Sequence, residues 1–198
     1  MAVIGVAGTT WGLIGVSVVL GALFVILVGS WLTGRLTVDL GWGRSVHPLG
    51  PLTLRIAAPR EIVFQILAAP YRARAPREVR RRVEILESGE DLVIAAHHTP
   101  VWGFTSTTVE SVRLSPPDRI EFRGLRGPPP AVHEEFVLHD ESDGTRIEYR
   151  GQLSLDFWVF GRLGARLMRP TWEGVVRRHL EDAKRMAEER ARVRRSGR

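Results

Sequence analysis

From Met1 to Gly34 the sequence contains no charged side chain, and this stretch constrains the architecture more than any other feature. The apolar segment from Trp11 to Leu32 is long enough, at about 1.5 Å per helical residue, to cross the roughly 30 Å hydrocarbon core of a bilayer. Trp11 and Trp31 lie at its two ends, where indole rings favour the membrane–water interface. We therefore predict a transmembrane anchor over residues 1–34.

Two other interpretations of this segment stay open. A buried core helix rarely runs this long without a charge. A cleavable signal peptide has a basic start and a shorter apolar run, and the sequence shows neither. Arg35 and Arg44 follow the span and no basic residue precedes it. The positive-inside rule then predicts a single-pass protein of the cell membrane whose C-terminal domain lies in the cytoplasm.

Composition excludes several classes of protein. Hydrophobic residues make up 44% and charged residues 25%, which is typical of a folded globular chain. The absence of cysteine excludes disulfides, thiol catalysis and thiolate metal sites. The net charge of +6 favours an anionic neighbour, either a phospholipid surface or nucleic acid. We expect no nucleic-acid partner, because the sequence shows neither interleaved exposed aromatic residues nor a recognition motif.

The remainder of the chain divides into three parts. Residues 35–51 are rich in Gly and Pro and lack periodicity, which predicts a linker. A folded domain is predicted over residues 52–190, and residues 191–198 form a basic tail.

The domain is predicted to be α+β. A first strand begins at Leu52, a helix follows Pro59, and six strand-like runs separated by turn residues come next. A long helix spans residues 160–192, with a kink or a break at Pro170. A meandering antiparallel sheet buries one face, and the last helix is the only large apolar element left to cover it. The sequence therefore predicts a curved antiparallel sheet wrapped around a long C-terminal helix.

Three stretches carry a resemblance to a known family. They are LTLRIAAPREIVFQIL (52–67), DESDGTRIEYRGQLSL (140–155) and WEGVVRRHLEDAKRMAEE (172–189). In order and length they resemble the START/Bet v 1-like superfamily, also called SRPBCC, and within it the bacterial polyketide cyclase/dehydrase group. The resemblance covers residues 52–189 and implies the helix-grip fold. The preceding transmembrane helix departs from the pattern, since most relatives lack one.

The resemblance also implies a function. Members of this superfamily enclose a large apolar cavity between sheet and helix and bind lipids, sterols, polyketides or other hydrophobic molecules, and only some are enzymes. We therefore expect a membrane-anchored protein that binds or transfers a lipid, quinone or polyketide-like molecule. A membrane-bound cyclase or dehydratase is the first alternative, and a structural subunit of a membrane complex is the second. No cofactor is expected.

Strand periodicity predicts which side chains face the helix. The inward sets are Ile120 and Phe122; Val132, Glu134, Phe136 and Leu138; Ile147, Tyr149, Gly151, Leu153 and Leu155; Leu92, Ile94, Ala96 and His98; and Trp102, Phe104, Ser106 and Thr108. A dry core does not hold this many polar groups unless each finds a partner, whereas a ligand cavity carries a few on an apolar wall. Two plainer explanations remain, namely solvent-open strand ends and a register error of one residue.

Candidate site residues follow from these sets. The predicted ligand-binding residues are Trp102, Phe104, Phe122, Glu134, Phe136, Tyr149, Trp158, Leu163, Leu167 and Trp172. If the protein is an enzyme, Glu134, His98 and Tyr149 supply an acid, a base and a hydrogen-bond donor. Alternatively, Glu134 forms a structural ion pair with Arg166 or Arg169. No metal site is predicted, because His97 and His98 face opposite sides of one strand.

Two stretches are rich in arginine, residues 72–82 and 190–198. The plain interpretation is a solvated loop and a frayed terminus. In an anchored domain, each basic side chain near anionic headgroups contributes about 1 kcal/mol to membrane binding. We therefore expect membrane lipids as partners through the anchor and these segments, and a membrane protein complex as a further partner.

Overall fold

The structure is a computed structural model that describes residues 4–72, 81–101, 103–129 and 131–197, with side chains from residue 14 onward. Trp102 and most of the first arginine-rich stretch lie outside the described residues. The helices are α1 (Ile4–Leu32), α2 (Arg60–Leu67) and α3 (Trp158–Ser196), and a 3-10 turn covers Ala69–Tyr71. The strands are β1 (Ser45–Ile56), β2 (Val83–Ser88), β3 (Leu92–Val101), β4 (Phe104–Ser115), β5 (Arg119–Arg126), β6 (Ala131–Glu141) and β7 (Gly144–Leu155).

The seven strands form one curved antiparallel sheet in the order β1-β7-β6-β5-β4-β3-β2. The long helix α3 packs against β1 and β7, and α2 packs against α3. The core between them is apolar, with Val63, Ile120, Ile147 and Leu153 fully buried. This is the helix-grip α+β architecture predicted from the order of elements.

Strand β1 begins earlier than the sequence analysis placed it. The strand start predicted at Leu52 is wrong, because β1 starts at Ser45, inside the segment predicted as a linker. Ser45 pairs with Leu155 of β7. The Gly-Pro pair that suggested a linker forms a bulge instead, with a register shift between Leu49 and Leu52. Gly50 has a φ of +77° there, a conformation that glycine adopts without strain.

Helix α3 is longer than predicted at both ends and has no break at Pro170. The predicted basic tail is helical as far as Ser196, and Ala191 within it is buried. Arginine is a strong helix former, so a run rich in Arg continues the helix instead of fraying.

The inward sets of β5, β6 and β7 are confirmed, since Ile120, Phe136, Leu138, Ile147 and Tyr149 are all buried. The inward set of β3 is wrong by one residue, because the antiparallel register places three other side chains beside the inner face of β4. These are Val93 opposite Val112, Ala95 opposite Glu110, and His97 opposite Thr108. Leu92, Ile94, Ala96 and His98 therefore lie on the outer face of the sheet.

Helix α1 is long and apolar enough, from Ile14 to Leu32, to be a membrane span or a signal sequence, and its residues 14–27 are exposed. Its C-terminal end is nevertheless attached to the sheet. Trp31 packs against the core, and the carbonyl of Thr33 accepts a hydrogen bond from the amide of Thr107 at 3.2 Å. The hydroxyl of Thr37 accepts a second one from Gly127 N at 3.0 Å.

Candidate functional site

The inner face of the sheet carries a buried carboxyl group, Glu134 of β6. The Tyr149 hydroxyl of β7 donates a hydrogen bond to its Oε1 atom, and Trp172 Nε1 of α3 donates another at 2.6 Å. Glu134 thus joins the sheet to the helix that covers it. The ion pair considered with Arg169 does not form, because that guanidinium binds Glu173 at 2.8 Å.

Gly151 makes the contact between Glu134 and Tyr149 possible. It lies opposite Glu134 in the register of β6 and β7, two residues after Tyr149 on the same face. A Cβ atom at this position would lie 3.1 Å from Glu134 Cγ and 3.2 Å from the Tyr149 hydroxyl. The missing side chain therefore leaves the space in which the diagonal pair meets.

A second buried carboxyl group, Glu110, lies on the inner face of β4. It accepts a hydrogen bond from Thr108 Oγ1 at 2.9 Å, and His97 Nδ1 lies 3.3 Å from its Oε2 atom. Directly opposite it on β5 is Gly124, so the wall beside this carboxyl carries no side chain.

Aromatic rings connect the two carboxyl groups along the inner face. The ring centroids of Tyr71 and Phe122 are 5.8 Å apart, those of Phe122 and Phe136 are 5.7 Å apart, and those of Phe136 and Tyr149 are 5.3 Å apart. The contact between Phe122 and Phe136 is edge-to-face, an arrangement that aromatic rings favour. The site is thus an apolar aromatic wall with a carboxyl group near each end.

Burial sets the protonation of these groups. It raises the pKa of Glu134 to about 7, and the charge of Glu110 adds to this, while the hydrogen bonds from Tyr149 and Trp172 act in the opposite direction. Burial also raises the pKa of Glu110 to about 7, against the hydrogen bond from Thr108. Both carboxyl groups therefore exchange protons near neutral pH.

The neighbouring groups stay neutral. Burial lowers the pKa of His97 to about 4, with a smaller contribution from His98, so the imidazole near Glu110 is uncharged at neutral pH. Burial raises the pKa of Tyr149, and the charge of Glu134 raises it further. Tyr149 is therefore a permanent hydrogen-bond donor, and each carboxyl group can act as an acid, a base or a hydrogen-bonding partner.

The structure brings together five of the predicted site residues: Phe122, Glu134, Phe136, Tyr149 and Trp172. Phe104 is half-buried on the same face, nearer the start of β4.

Four predicted site residues lie elsewhere. His98 is on the outer face, where its Nδ1 atom is 3.1 Å from Thr107 Oγ1. Trp158, Leu163 and Leu167 were predicted to line the site, but their side chains are 63%, 55% and 62% exposed. The packing face of that part of α3 consists of the buried small residues Gly161 and Ala165, so the larger side chains point outward.

Sequence reasoning missed three residues of the site. Glu110 continues the alternation of Ser106 and Thr108, so extending that set by one step would have found it. His97 was missed because the inward face of β3 was assigned one residue out of phase. Tyr71 lies in the 3-10 turn after α2, and no periodic pattern in the sequence indicates its position.

Two clefts of the described structure lie away from these carboxyl groups. The larger, of about 610 Å³, lies between α2 and the C-terminal part of α3, and the other, of about 330 Å³, lies beside Tyr71 and the turn between β2 and β3. Neither is the large apolar cavity that the family resemblance implies. Around Glu134 the space between sheet and helix is occupied by Tyr149, Phe136 and Trp172.

Comparison with known proteins gives a fold but no sequence family. No protein-family model matches the sequence, and no curated protein matches it. Among solved structures, the di-domain ARO/CYC BexL from the BE-7585A biosynthetic pathway is 20% identical with a TM-score of 0.59, over 74% of this chain and 50% of that one. The di-domain ARO/CYC StfQ from the steffimycin pathway is 19% identical with a TM-score of 0.57, over 75% and 52%.

A third structure is similar along nearly its whole length. The Zhui aromatase/cyclase from Streptomyces sp. R1128 is 20% identical with a TM-score of 0.52, over 76% of this chain and 95% of that one. The chain thus spans about half the length of the two di-domain proteins. At this level of identity the likeness shows the fold. From β1 to α3, the chain has a helix-grip α+β fold and shares it with these aromatase/cyclase structures.

Proposed function

We propose that the chain is a membrane-anchored protein that binds a hydrophobic small molecule between the sheet and α3. The observation that carries the proposal is the pair of buried carboxyl groups, Glu110 and Glu134, on an aromatic wall. Burying two carboxyl groups costs stability, and such a cost is typical of binding and catalytic sites. An aromatic wall with a few placed polar groups suits a lipid, a quinone or a polyketide-like molecule.

Binding proceeds by displacement of Trp172. Its indole donates to Glu134 from the helix side, so a ligand hydroxyl can take its place and keep the carboxyl group partnered. The side of the site toward β3 and β4 is the less covered one, since His97, Thr108 and Phe104 are only partly buried. The apolar part of the ligand lies along Phe122 and Phe136.

Helix α1 places this site at the membrane. The helix spans the bilayer, and the domain on its cytoplasmic side takes the ligand from the lipid phase or delivers it there. The exposed apolar surface of α1 supports this role, since residues 14–27 are exposed. Arginine side chains in the first basic stretch, residues 72–82, add attraction to anionic headgroups. The second stretch, residues 190–198, lies at the far end of α3.

Native mass spectrometry of the detergent-extracted full chain tests the proposal. We expect a small hydrophobic molecule to leave the protein with a defined mass on collisional activation. Partner chains without any bound small molecule would contradict the proposal and favour the structural subunit of a membrane complex.

A cyclase or dehydratase is the second candidate, and the pKa of about 7 at Glu134 favours it. A group with such a pKa gives up and takes back a proton at neutral pH, as an acid–base catalyst must. Glu134→Gln keeps an acceptor for Tyr149 and Trp172 but cannot transfer a proton. If Glu134→Gln still binds the copurified molecule but no longer converts it, the protein is an enzyme. Equal conversion of the molecule by the wild type and by Glu134→Gln excludes Glu134 as the catalytic group.

A further inference from the structure

A large apolar surface lies at one end of the domain. It consists of Leu40, Trp42, Trp158, Phe160, Leu163 and Leu167, and we call these six residues the apolar end surface. Their side chains are between 55% and 79% exposed. Contiguous apolar patches of this kind are rare on soluble proteins and mark sites that bind a partner or a membrane.

Specific contacts hold the apolar end surface in place. Asp156 accepts hydrogen bonds from Leu40 N at 2.7 Å and from Gly41 N at 2.9 Å, and it forms an ion pair with Arg44 at 2.9 Å. Phe157 N donates to the carbonyl of Trp42 at 2.7 Å. The loop before β1 is therefore fastened to the start of α3, and its exposed side chains are presented by ordered backbone.

Backbone strain supports the same conclusion. Phe157 and Trp158 have φ angles of 71° and 45°, which non-glycine residues rarely adopt. Such a conformation is strained, and surrounding contacts must hold each residue there. In this conformation the Trp158 side chain points away from the core and packs over Gly43, with most of its ring exposed.

The apolar end surface lies at the end of the sheet where α1 leaves the domain. Strand β1 begins there and β7 ends there, since Ser45 pairs with Leu155. At the same end of the sheet, Thr107 of β4 hydrogen-bonds Thr33 just after α1. A helix that spans a bilayer ends at its surface, so the apolar end surface lies at that surface as well.

The charges around this surface suit a lipid bilayer. From Trp158 to Trp172, α3 contains no acidic residue, and the exposed side chains of Arg162 and Arg166 alternate with the apolar ones. Exposed Trp is typical of membrane interfaces, and Arg near it attracts anionic headgroups. The arginine-rich C-terminal end of α3 lies over the opposite end of the sheet, where Glu188 hydrogen-bonds Ala57 N.

We propose that the apolar end surface inserts into the headgroup–acyl boundary of the membrane that α1 crosses, so that the domain contacts the bilayer at a second point. This inference rests on the membrane anchoring in the proposed function. It also specifies the source of the ligand. The inserted turns begin the helix that carries Trp172, about 20 Å further along its axis, so a molecule leaving the bilayer reaches the site along α3.

Site-specific labelling tests the insertion, because the chain has no cysteine of its own. Phe160→Cys and Val193→Cys each receive an environment-sensitive NBD fluorophore in the full chain, reconstituted in nanodiscs of anionic phospholipid. Val193 is the matched control, since it is also mostly exposed, at 66% against 79% for Phe160, on the same helix about 50 Å away. We expect blue-shifted emission and at least twofold quenching by doxyl-labelled lipid at position 160, and neither at position 193.

Three results would overturn the insertion. The first is equal, lipid-independent emission at both positions. The second is proximity between position-160 labels on two copies of the chain without quenching by lipid, which makes the surface a dimer interface. The third is protection of the cysteine at position 160 from a thiol reagent in native membranes but not in nanodiscs, which assigns the surface to a partner protein.

The experiment separates this inference from the proposed function. Lipid quenching at position 160 without a bound small molecule in the native mass spectrum keeps the insertion and removes ligand binding. A bound small molecule with no quenching at position 160 keeps ligand binding and removes the insertion. An intact mass that lacks α1 would show that the protein has no anchor. Quenching by lipid on added vesicles then tests the apolar end surface alone. No quenching in that experiment would overturn the insertion.

Discussion

At the scale of single residues, Glu134 determines how the domain responds to pH. Burial raises its pKa from 4.5 to about 7, so the folded state binds this proton more tightly than the unfolded state does. The stability that Glu134 contributes is therefore complete below pH 4.5 and is lost as the pH rises through 7. His97 acts in the opposite direction, since its pKa is lowered to about 4.

Comparison of the wild type with Glu134→Gln isolates the carboxyl group, because His97 is common to both proteins. The stability difference should move in favour of the variant between pH 4.5 and pH 7, by an amount on the order of 3 kcal/mol. Denaturation in detergent at a series of pH values measures it. Parallel pH profiles for the two proteins would show that Glu134 does not titrate in this range.

Gly151 is the second residue on which the site depends. In Gly151→Ala the new methyl group presses on Glu134 and on the Tyr149 hydroxyl, so we expect a loss of about 1–3 kcal/mol. Gly174→Ala is the control, since nothing lies within 4 Å of the added atom and alanine favours a helix by up to about 1 kcal/mol. Thermal melting should move the two variants in opposite directions, and an unchanged Gly151→Ala protein would refute this packing.

At the scale of elements, Asp156 connects the loop before β1 to the start of α3. Its carboxylate accepts two backbone hydrogen bonds and binds Arg44, and these contacts lower its pKa. Its contribution is therefore present at neutral pH and is lost as the pH falls through this lowered pKa.

Asp156→Ala leaves two amide groups without their acceptor and removes one of the two carboxylates that Arg44 binds, and we expect a loss of about 2–3 kcal/mol. Asp182→Ala is the control, because its contact with Arg185 is exposed and such pairs contribute less than about 1 kcal/mol. Chemical denaturation at pH 7 measures both. Similar losses in the two variants would mean that Asp156 does not hold the loop.

The success of prediction from sequence differs between elements for physical reasons. Strands β5 to β7 alternate polar and apolar residues, so their inner faces can be identified. In β3 the run from Leu92 to Ala96 is apolar on both faces, so alternation alone cannot show which face is buried. In α3, Leu163 and Leu167 have core spacing, yet small residues form the packing face. The spacing marks an apolar stripe but not whether protein or lipid covers it.

The sequence predicted five of the eight side chains that form the candidate site. Glu134 was found because a carboxyl group in an otherwise apolar alternation is conspicuous. Its partner Trp172 was named only among lining residues, since a contact between a strand and a helix depends on how the two pack. His97 and Tyr71 belong to the site through tertiary structure alone, one through strand register and the other through a turn.

At the scale of the whole molecule, we propose a ligand site held close to a bilayer. One end of the sheet receives α1 and presents the apolar end surface, and the site with Glu110 and Glu134 lies inside the same domain. The fold supplies the aromatic wall, and in the proposed function the membrane segments give access to hydrophobic molecules.

The central claim is that a hydrophobic molecule binds on the inner face of the sheet, beside the buried carboxyl groups. Gly124→Leu introduces a large side chain opposite Glu110, where an added Cβ atom already lies 3.3 Å from Val132 N. Arg123→Leu adds the same side chain on the outer face, one residue away. Native mass spectrometry of both variants, with melting temperatures to verify folding, tests the claim most directly. The account predicts that folded Gly124→Leu protein loses the copurified molecule and that Arg123→Leu protein keeps it. Equal retention by both variants would contradict it.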